Sequence, residues 1–121
     1  MTVREAAAAL GGAVASGETD AGRLIGGGYA SDLLSDVIAN GHEGDLWITL
    51  QKHPNIVAVA VLKGLAGIVL VNGREPEPDT IARANEEHVP IVTTRLEAFE
   101  VAGTLYGLGV RGRRSSEGVH A

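Results

Sequence analysis

Three short runs in this chain, residues 46–50, 68–71 and 91–93, are apolar almost from end to end. A strand with one wet face alternates apolar and polar residues. A strand that is apolar at nearly every position is buried on both faces. Such strands mark a parallel sheet covered on both sides, and parallel neighbours need a crossover between them, usually a helix. The segment between the first two runs decides whether that reading holds. Its Val content favours a strand, but the crossover requirement makes residues 56–63 a buried helix, ended by Gly64. A loop over 72–78 and a helix over 79–87 then lead to the third run.

The remaining elements fit the same scheme. Thr2-Val3-Arg4-Glu5 has capping-box spacing, in which hydroxyl and carboxylate satisfy free N–H groups reciprocally. Val3, Ala6, Ala7 and Leu10 follow on one helical stripe, which Gly11-Gly12 terminates. Residues 13–15 read as a short strand, 17–22 as a polar turn and 23–25 as a second short strand running into Gly26-Gly27-Gly28. Ser31 is placed to cap a helix whose buried face is Leu33, Leu34, Val37 and Ile38, stopped at Asn40-Gly41. Asn55 is the expected cap of the crossover helix. Thr94-Arg95-Leu96-Glu97 repeats the capping-box spacing before a last helix carrying Leu96, Phe99, Val101, Ala102 and Leu105. The expected fold is α/β: a mainly parallel sheet of βα repeats with helices on both faces. It forms one domain over residues 1–108, and residues 109–121, rich in Gly, Ser and Arg, form a disordered tail.

Composition narrows the functions. With 121 residues there is room for one core, and aromatic residues make up only 3%. The formal net charge of −5 disfavours broad nucleic-acid binding, which needs a basic face. The absence of cysteine excludes disulfides, thiolate metal sites, cysteine nucleophiles and cysteine-ligated iron–sulfur clusters. Met1 leads directly into polar residues, and residues 6–10 are too short an apolar run for a membrane span. A cytoplasmic protein with no membrane partner is expected.

Ligands of open α/β sheets bind beyond the carboxyl ends of the strands. The loops expected there are 26–32, 51–55, 72–75 and 93–95. They offer Ser31, Asp32, Gln51, Lys52, His53, Asn55, Asn72, Gly73, Arg74, Thr93, Thr94 and Arg95 as ligand-binding candidates. Neighbouring strands lie about 4.8 Å apart, so these loops should converge. Lys52, Arg74 and Arg95 make the edge cationic on an acidic protein, and helix N-termini add N–H groups. An anionic ligand or an acidic partner surface is the expectation, against the alternative that these residues only cap and turn the chain. Gly26-Gly27-Gly28-Tyr29-Ala30-Ser31 imitates a dinucleotide fingerprint but has Ser for the third Gly. It also lacks the acidic residue at the end of the next strand. No G-x-x-x-x-G-K-[ST] loop occurs, so P-loop phosphoryl transfer is unsupported. Of the four histidines, only His53 lies at the edge, without an evident nucleophile partner. His42, Glu43 and Asp45 read as a solvated turn rather than a metal site. No catalytic residue, metal or cofactor is expected.

Ser31-Asp32-Leu33-Leu34-Ser35-Asp36, the run from Gly44 to Gln51, His53-Pro54-Asn55 and Val71-Asn72-Gly73-Arg74-Glu75-Pro76 together resemble the DRTGG domain family. Pro90-Ile91-Val92-Thr93-Thr94 and Phe99-Glu100-Val101-Ala102-Gly103 extend the match, in the manner of the family's small stand-alone members. Other members are accessory domains of phosphotransacetylases and CBS-domain pyrophosphatases, and the fold is similar to the N-terminal domain of HPr kinase/phosphorylase. The resemblance implies an α/β fold, self-association and a regulatory or accessory role. The naming motif itself differs. Lys52-His53 stands where the accessory domains have Asp-Arg, and Val71-Asn72-Gly73 where they have Thr-Gly-Gly. Stand-alone members are sometimes labelled HPr serine kinase or iron–sulfur hydrogenase components. Without a P-loop or cysteine, neither activity is expected here, and a hydrogenase-type enzyme enters only as a partner by analogy.

The leading expectation is a non-catalytic regulatory or accessory module, working as a homodimer. It binds an anionic metabolite or nucleotide, or docks a metabolic or redox enzyme. The alternatives are a small transferase or hydrolase using His53, and a purely structural dimerisation domain.

Overall fold

The computed structural model describes residues 1–113. Its elements run α1 (Val3–Ala9), β1 (Ala13–Ser16), β2 (Gly27–Ala30), α2 (Leu34–Asn40), β3 (Asp45–Thr49), α3 (Asn55–Lys63), β4 (Gly67–Leu70), α4 (Pro78–Glu86), β5 (Ile91–Thr93) and α5 (Ala98–Gly107). A 3₁₀ turn, Glu18–Asp20, interrupts the link between β1 and β2. The five strands form one sheet in the order β1-β5-β4-β3-β2. The pairs β2–β3, β3–β4 and β4–β5 are parallel, and β1 alone runs antiparallel, against β5.

The three apolar runs are therefore the three inner strands, and the Val-rich segment after β3 is a helix. Gly64 ends that helix in the left-handed region at φ +63°, a conformation without steric cost for glycine. Side chains alternate across the strands. Leu46 and Ile48 of β3, Val69 of β4 and Val92 of β5 join Val3, Ala6 and Ala7 of α1 and Val101 and Leu105 of α5 in one cluster. Trp47, Ile68, Leu70 and Ile91 point the other way, into a second cluster with Val37 of α2, Ile56, Val57 and Ala60 of α3 and Ala84 of α4. The Thr2–Glu5 capping box is present with both of its hydrogen bonds.

The second strand differs from expectation. Residues 23–25 make only an isolated antiparallel bridge between Leu24 and Thr2, and β2 begins instead inside the glycine run. A Cβ at Gly27 would stand 2.6 Å from Arg113 Cγ and 2.8 Å from Arg111 O. Only glycine lets the C-terminal segment lie that close to the strand. Two glycines thus belong to β2, and the loop beyond the strand starts at Ser31.

The expected caps differ too. Ser31, Asn55 and Thr94 do not cap helices: the N-cap positions of α2, α3 and α5 are Leu33, Pro54 and Glu97, none with a side-chain capping bond. Ser31 Oγ accepts from Leu33 N, and Thr94 Oγ1 from Leu96 N, each at 3.2 Å. These are local two-residue turns that compete with capping. On α2, Val37 is buried, but Ile38 and the N-cap residue Leu33 face solvent.

Residues 109–113 are not a disordered end. Gly28 N donates to Arg111 O at 3.0 Å, Val110 packs on the first cluster, and Arg113 Nε donates to Asp45 Oδ1 at 3.0 Å. Residues 114–121 lie outside the described residues. No helix among the described residues is long and apolar enough to cross a membrane.

Candidate functional site

The carboxyl ends of β2 to β5 share one edge of the sheet, because all four strands run the same way. Since β1 runs against β5, with Ala13 opposite Thr93, the start of β1 lies at that edge as well. Five connections therefore meet there, one more than the sequence suggests.

The edge divides into two parts. On the β2–β3 side the side chains of Asp32 and Gln51 are engaged within the fold. Asp32 Oδ1 accepts from Thr49 Oγ1 at 2.9 Å and from Leu50 N at 2.7 Å, and Gln51 Nε2 donates to Asp32 O at 2.9 Å. Ser31 O accepts from the Nε1 of buried Trp47 at 2.7 Å. Lys52 O accepts from Thr80 Oγ1 at 2.7 Å and from Glu77 N at 3.3 Å, which ties the end of this loop to the start of α4. His53 Nδ1 accepts from Asn55 N at 3.0 Å. His53, not Asn55, thus engages the first N–H of α3.

On the β4–β5 side the loops enclose space. Val71-Asn72-Gly73-Arg74 is a tight turn in which Arg74 N donates to Val71 O at 3.1 Å. Asn72 and Gly73 both have positive φ, +60° and +68°, as a type I′ turn requires, and Asn-Gly is the pair best suited to it. The turn is clamped to the neighbouring loop by Asn72 N to Leu96 O at 2.9 Å and Gly73 N to Thr94 O at 2.8 Å. Thr94 Oγ1 donates to Leu10 O at 2.9 Å and so fixes the end of α1 to the same place. Gly73, Glu75, Thr93, Thr94 and Arg95 line a cleft of about 360 Å³ with Gly11, Gly12 and Ala13. At Gly12 a Cβ would sit 2.3 Å from Thr93 O, so glycine is needed for β1 to close this wall.

Of the candidate residues, Gly73, Thr93, Thr94 and Arg95 line this cleft, with Asn72 and Arg74 in the turn beside it. Ser31, Asp32, Gln51, Lys52, His53 and Asn55 do not line it. The residues missed were Gly11, Gly12 and Ala13. Counting only loops that follow strands leaves them out, although a Gly-Gly pair directly before a strand was a signal of close backbone approach. Lys52, Arg74 and Arg95 are exposed and make no side-chain hydrogen bond or ion pair among the described residues. No group of three or more His, Asp or Glu among the described residues could hold a metal ion.

The model of the DRTGG domain matches residues 5–108. The chain belongs to the DRTGG domain family. The fold of this DRTGG domain is similar to that of the CBS and DRTGG domains of the regulatory region of Clostridium perfringens pyrophosphatase, solved with its activator, diadenosine tetraphosphate. The TM-score is 0.67 at 14% identity, over 86% of this chain and 45% of that one. The DRTGG domain described here thus spans less than half of that chain. At this identity the likeness is one of fold. No curated protein sequence matches the chain.

Proposed function

We propose that this chain is a non-catalytic regulatory or accessory module. It holds an anionic small molecule, a nucleotide above all, in the cleft at the carboxyl edge of its sheet, and it works as a homodimer. The observation that carries the reading is the cleft itself. It is walled by the backbones of Gly12 and Gly73, and Arg95 on its lining makes no ion pair among the described residues. A guanidinium grips a phosphate or carboxylate through two hydrogen bonds. Arg74 in the adjoining turn and Lys52 further along the edge add charge that attracts an anion to a protein of net charge −5. Glu75, also on the lining, accepts hydrogen bonds and suits the hydroxyls of a sugar. Fold likeness to a regulatory region solved with a dinucleoside polyphosphate supports the nucleotide class. His53 favours the non-catalytic reading: it stands exposed, away from the cleft, with Nδ1 already engaged.

Thermal unfolding with diadenosine tetraphosphate, ATP, AMP and inorganic phosphate tests this. A ligand at 100 times its Kd stabilises the native state by about 2.7 kcal/mol. At least one nucleotide should raise the melting temperature of the wild type and fail to do so for Arg95→Ala. If millimolar concentrations of all four leave the wild type unmoved, the reading is wrong.

A further inference from the structure

The chain has four aromatic residues besides its histidines: Trp47, Tyr29, Phe99 and Tyr106. Trp47 is fully buried and Tyr29 half-buried. The other two stand on one helix, α5, with Phe99 85% exposed and Tyr106 60% exposed. Seven residues apart, they share a face one above the other, and Ala102 and Gly103, also exposed, lie between them. The opposite face, Val101 and Leu105, is in the core. The helix also carries Glu100 and Thr104, so its exposed apolar surface is this one stripe.

Beside this stripe is a depression of about 120 Å³, lined by Ala102, Leu105, Tyr106, Val110, Ile48 and Gly28 among others. A cavity of roughly 150 Å³ accommodates benzene, so this one is of the size of a single phenyl ring. Knob and hole are thus on the same helix. Phe99 is toward one end, the depression beside Tyr106 is toward the other, and exposed Ala102 and Gly103 lie midway. Such a surface fits itself when turned by a half-rotation.

We propose that two copies of this chain pair through α5, antiparallel about a two-fold axis between Ala102 and Gly103, each Phe99 entering the depression beside the partner's Tyr106. The small residues let the helices approach closely at the crossing. The ends match in charge. Glu97 and Glu100 are at the N-terminal end. At the other end Arg111, whose guanidinium carbon lies 3.8 Å from the Tyr106 ring centroid, supplies the cation. Four such aromatic side chains bury on the order of 600 Å². The flanking residues supply the rest of the 1,200 Å² or more of a specific interface. The pairing gives the dimer of the proposed function its surface and uses none of the residues that line the strand-edge cleft.

Sedimentation at micromolar concentration should give twice the 12.5 kDa chain mass for the wild type. Phe99→Glu should give the chain mass alone, with its circular dichroism and melting transition cooperative. The chain has no cysteine, so Ala102→Cys provides a single thiol next to the axis. Mild oxidation should convert it to a covalent dimer, whereas Ser35→Cys on α2 should stay monomeric on denaturing gels. A monomeric wild type, a Phe99→Glu dimer, or cross-linking at position 35 but not 102 overturns the proposal. Arg95→Ala should remain dimeric, so loss of nucleotide binding and loss of pairing are read separately.

Discussion

Arg113→Ala removes the counter-charge of Asp45, a carboxylate at the start of an inner strand. The Asp45 side chain is 1% exposed and that of Arg113 35% exposed, with Nε and Oδ1 3.0 Å apart. Removing one partner of a fully buried pair costs about 3–5 kcal/mol, because the other charge is left stranded. An exposed pair is worth about 0–1 kcal/mol. Here one partner is sealed, the other is a third open, and Asp45 Oδ2 keeps the His42 N–H at 2.9 Å. About 2 kcal/mol is expected, a fall in melting temperature of about 6–10 °C for a domain of this size. The charge is the cause, so Asp45→Asn in the same background should recover part of the loss. The double variant should be more stable than the sum of the single effects by about 1 kcal/mol. Urea and thermal melts of the four proteins measure this. If Arg113→Ala stays within about 0.5 kcal/mol of the wild type, or if the two effects simply add, then Arg113 is a solvated residue and the C-terminal segment does not brace the sheet.

Gly12→Ala drives a methyl group into Thr93 O and should cost about 1–3 kcal/mol, with amide protection of β1 lost ahead of that of β3 and β4. Asn72→Val puts a β-branched residue at φ +60° and should cost about 1–2 kcal/mol in a urea melt, while Asn72→Gly should be close to neutral. The Thr2 backbone N–H, and then the Thr2 hydroxyl, hold the Glu5 carboxyl below its ordinary value. A depressed folded-state value means stability present above the unfolded-state pKa and lost as pH falls through the folded one. Glu5→Gln should therefore be less stable than the wild type at pH 7, with the gap closing through the acidic range. A gap independent of pH would show that the charge of Glu5 plays no part.

The inner sheet was legible because its residues face one requirement only. Leu46 to Ile48 and Ile68 to Leu70 are buried on both faces, and burial on both faces writes itself as an unbroken apolar run. That inference also settled α3, where local propensity argues for a strand and chain connectivity for a helix. The edge strands answer to more than one demand. Gly27 and Gly28 weaken β2 by propensity, and their reason lies with Arg111 and Arg113, some 85 residues further on. The caps misled for a related cause. Ser31 and Thr94 have the right identity and spacing, but each is drawn to a nearer N–H, and Thr94 also to Leu10 O. At the candidate site, Gly73, Thr93, Thr94 and Arg95 were legible from strand ends. Gly11, Gly12 and Ala13 were not, because the direction of β1 is a property of the sheet and not of its own four residues. Asp32 and Gln51 looked available for a ligand until their partners were known: Thr49 and Leu50 for the Asp32 carboxylate, and Asp32 O for the Gln51 amide.

The pairing of β1 with β5 joins the first strand to the last, across roughly 80 residues of chain. At 5–20 residues per second, translation takes about 4–16 s to cover that interval. Throughout it, β1 has emerged and the strand it pairs with has not. Ser16 Oγ and Gly17 N wait almost as long, for Val89 O and Asn85 Oδ1, 73 and 68 residues further on. A nascent chain cut short before Ile91 holds β2, β3 and β4 but leaves the outer edge of β4 uncovered, open to pairing with another strand. Completion of this small sheet is thus timed by the arrival of three residues, Ile91–Thr93. Variants that slow synthesis just upstream of them should aggregate more than variants that slow it elsewhere.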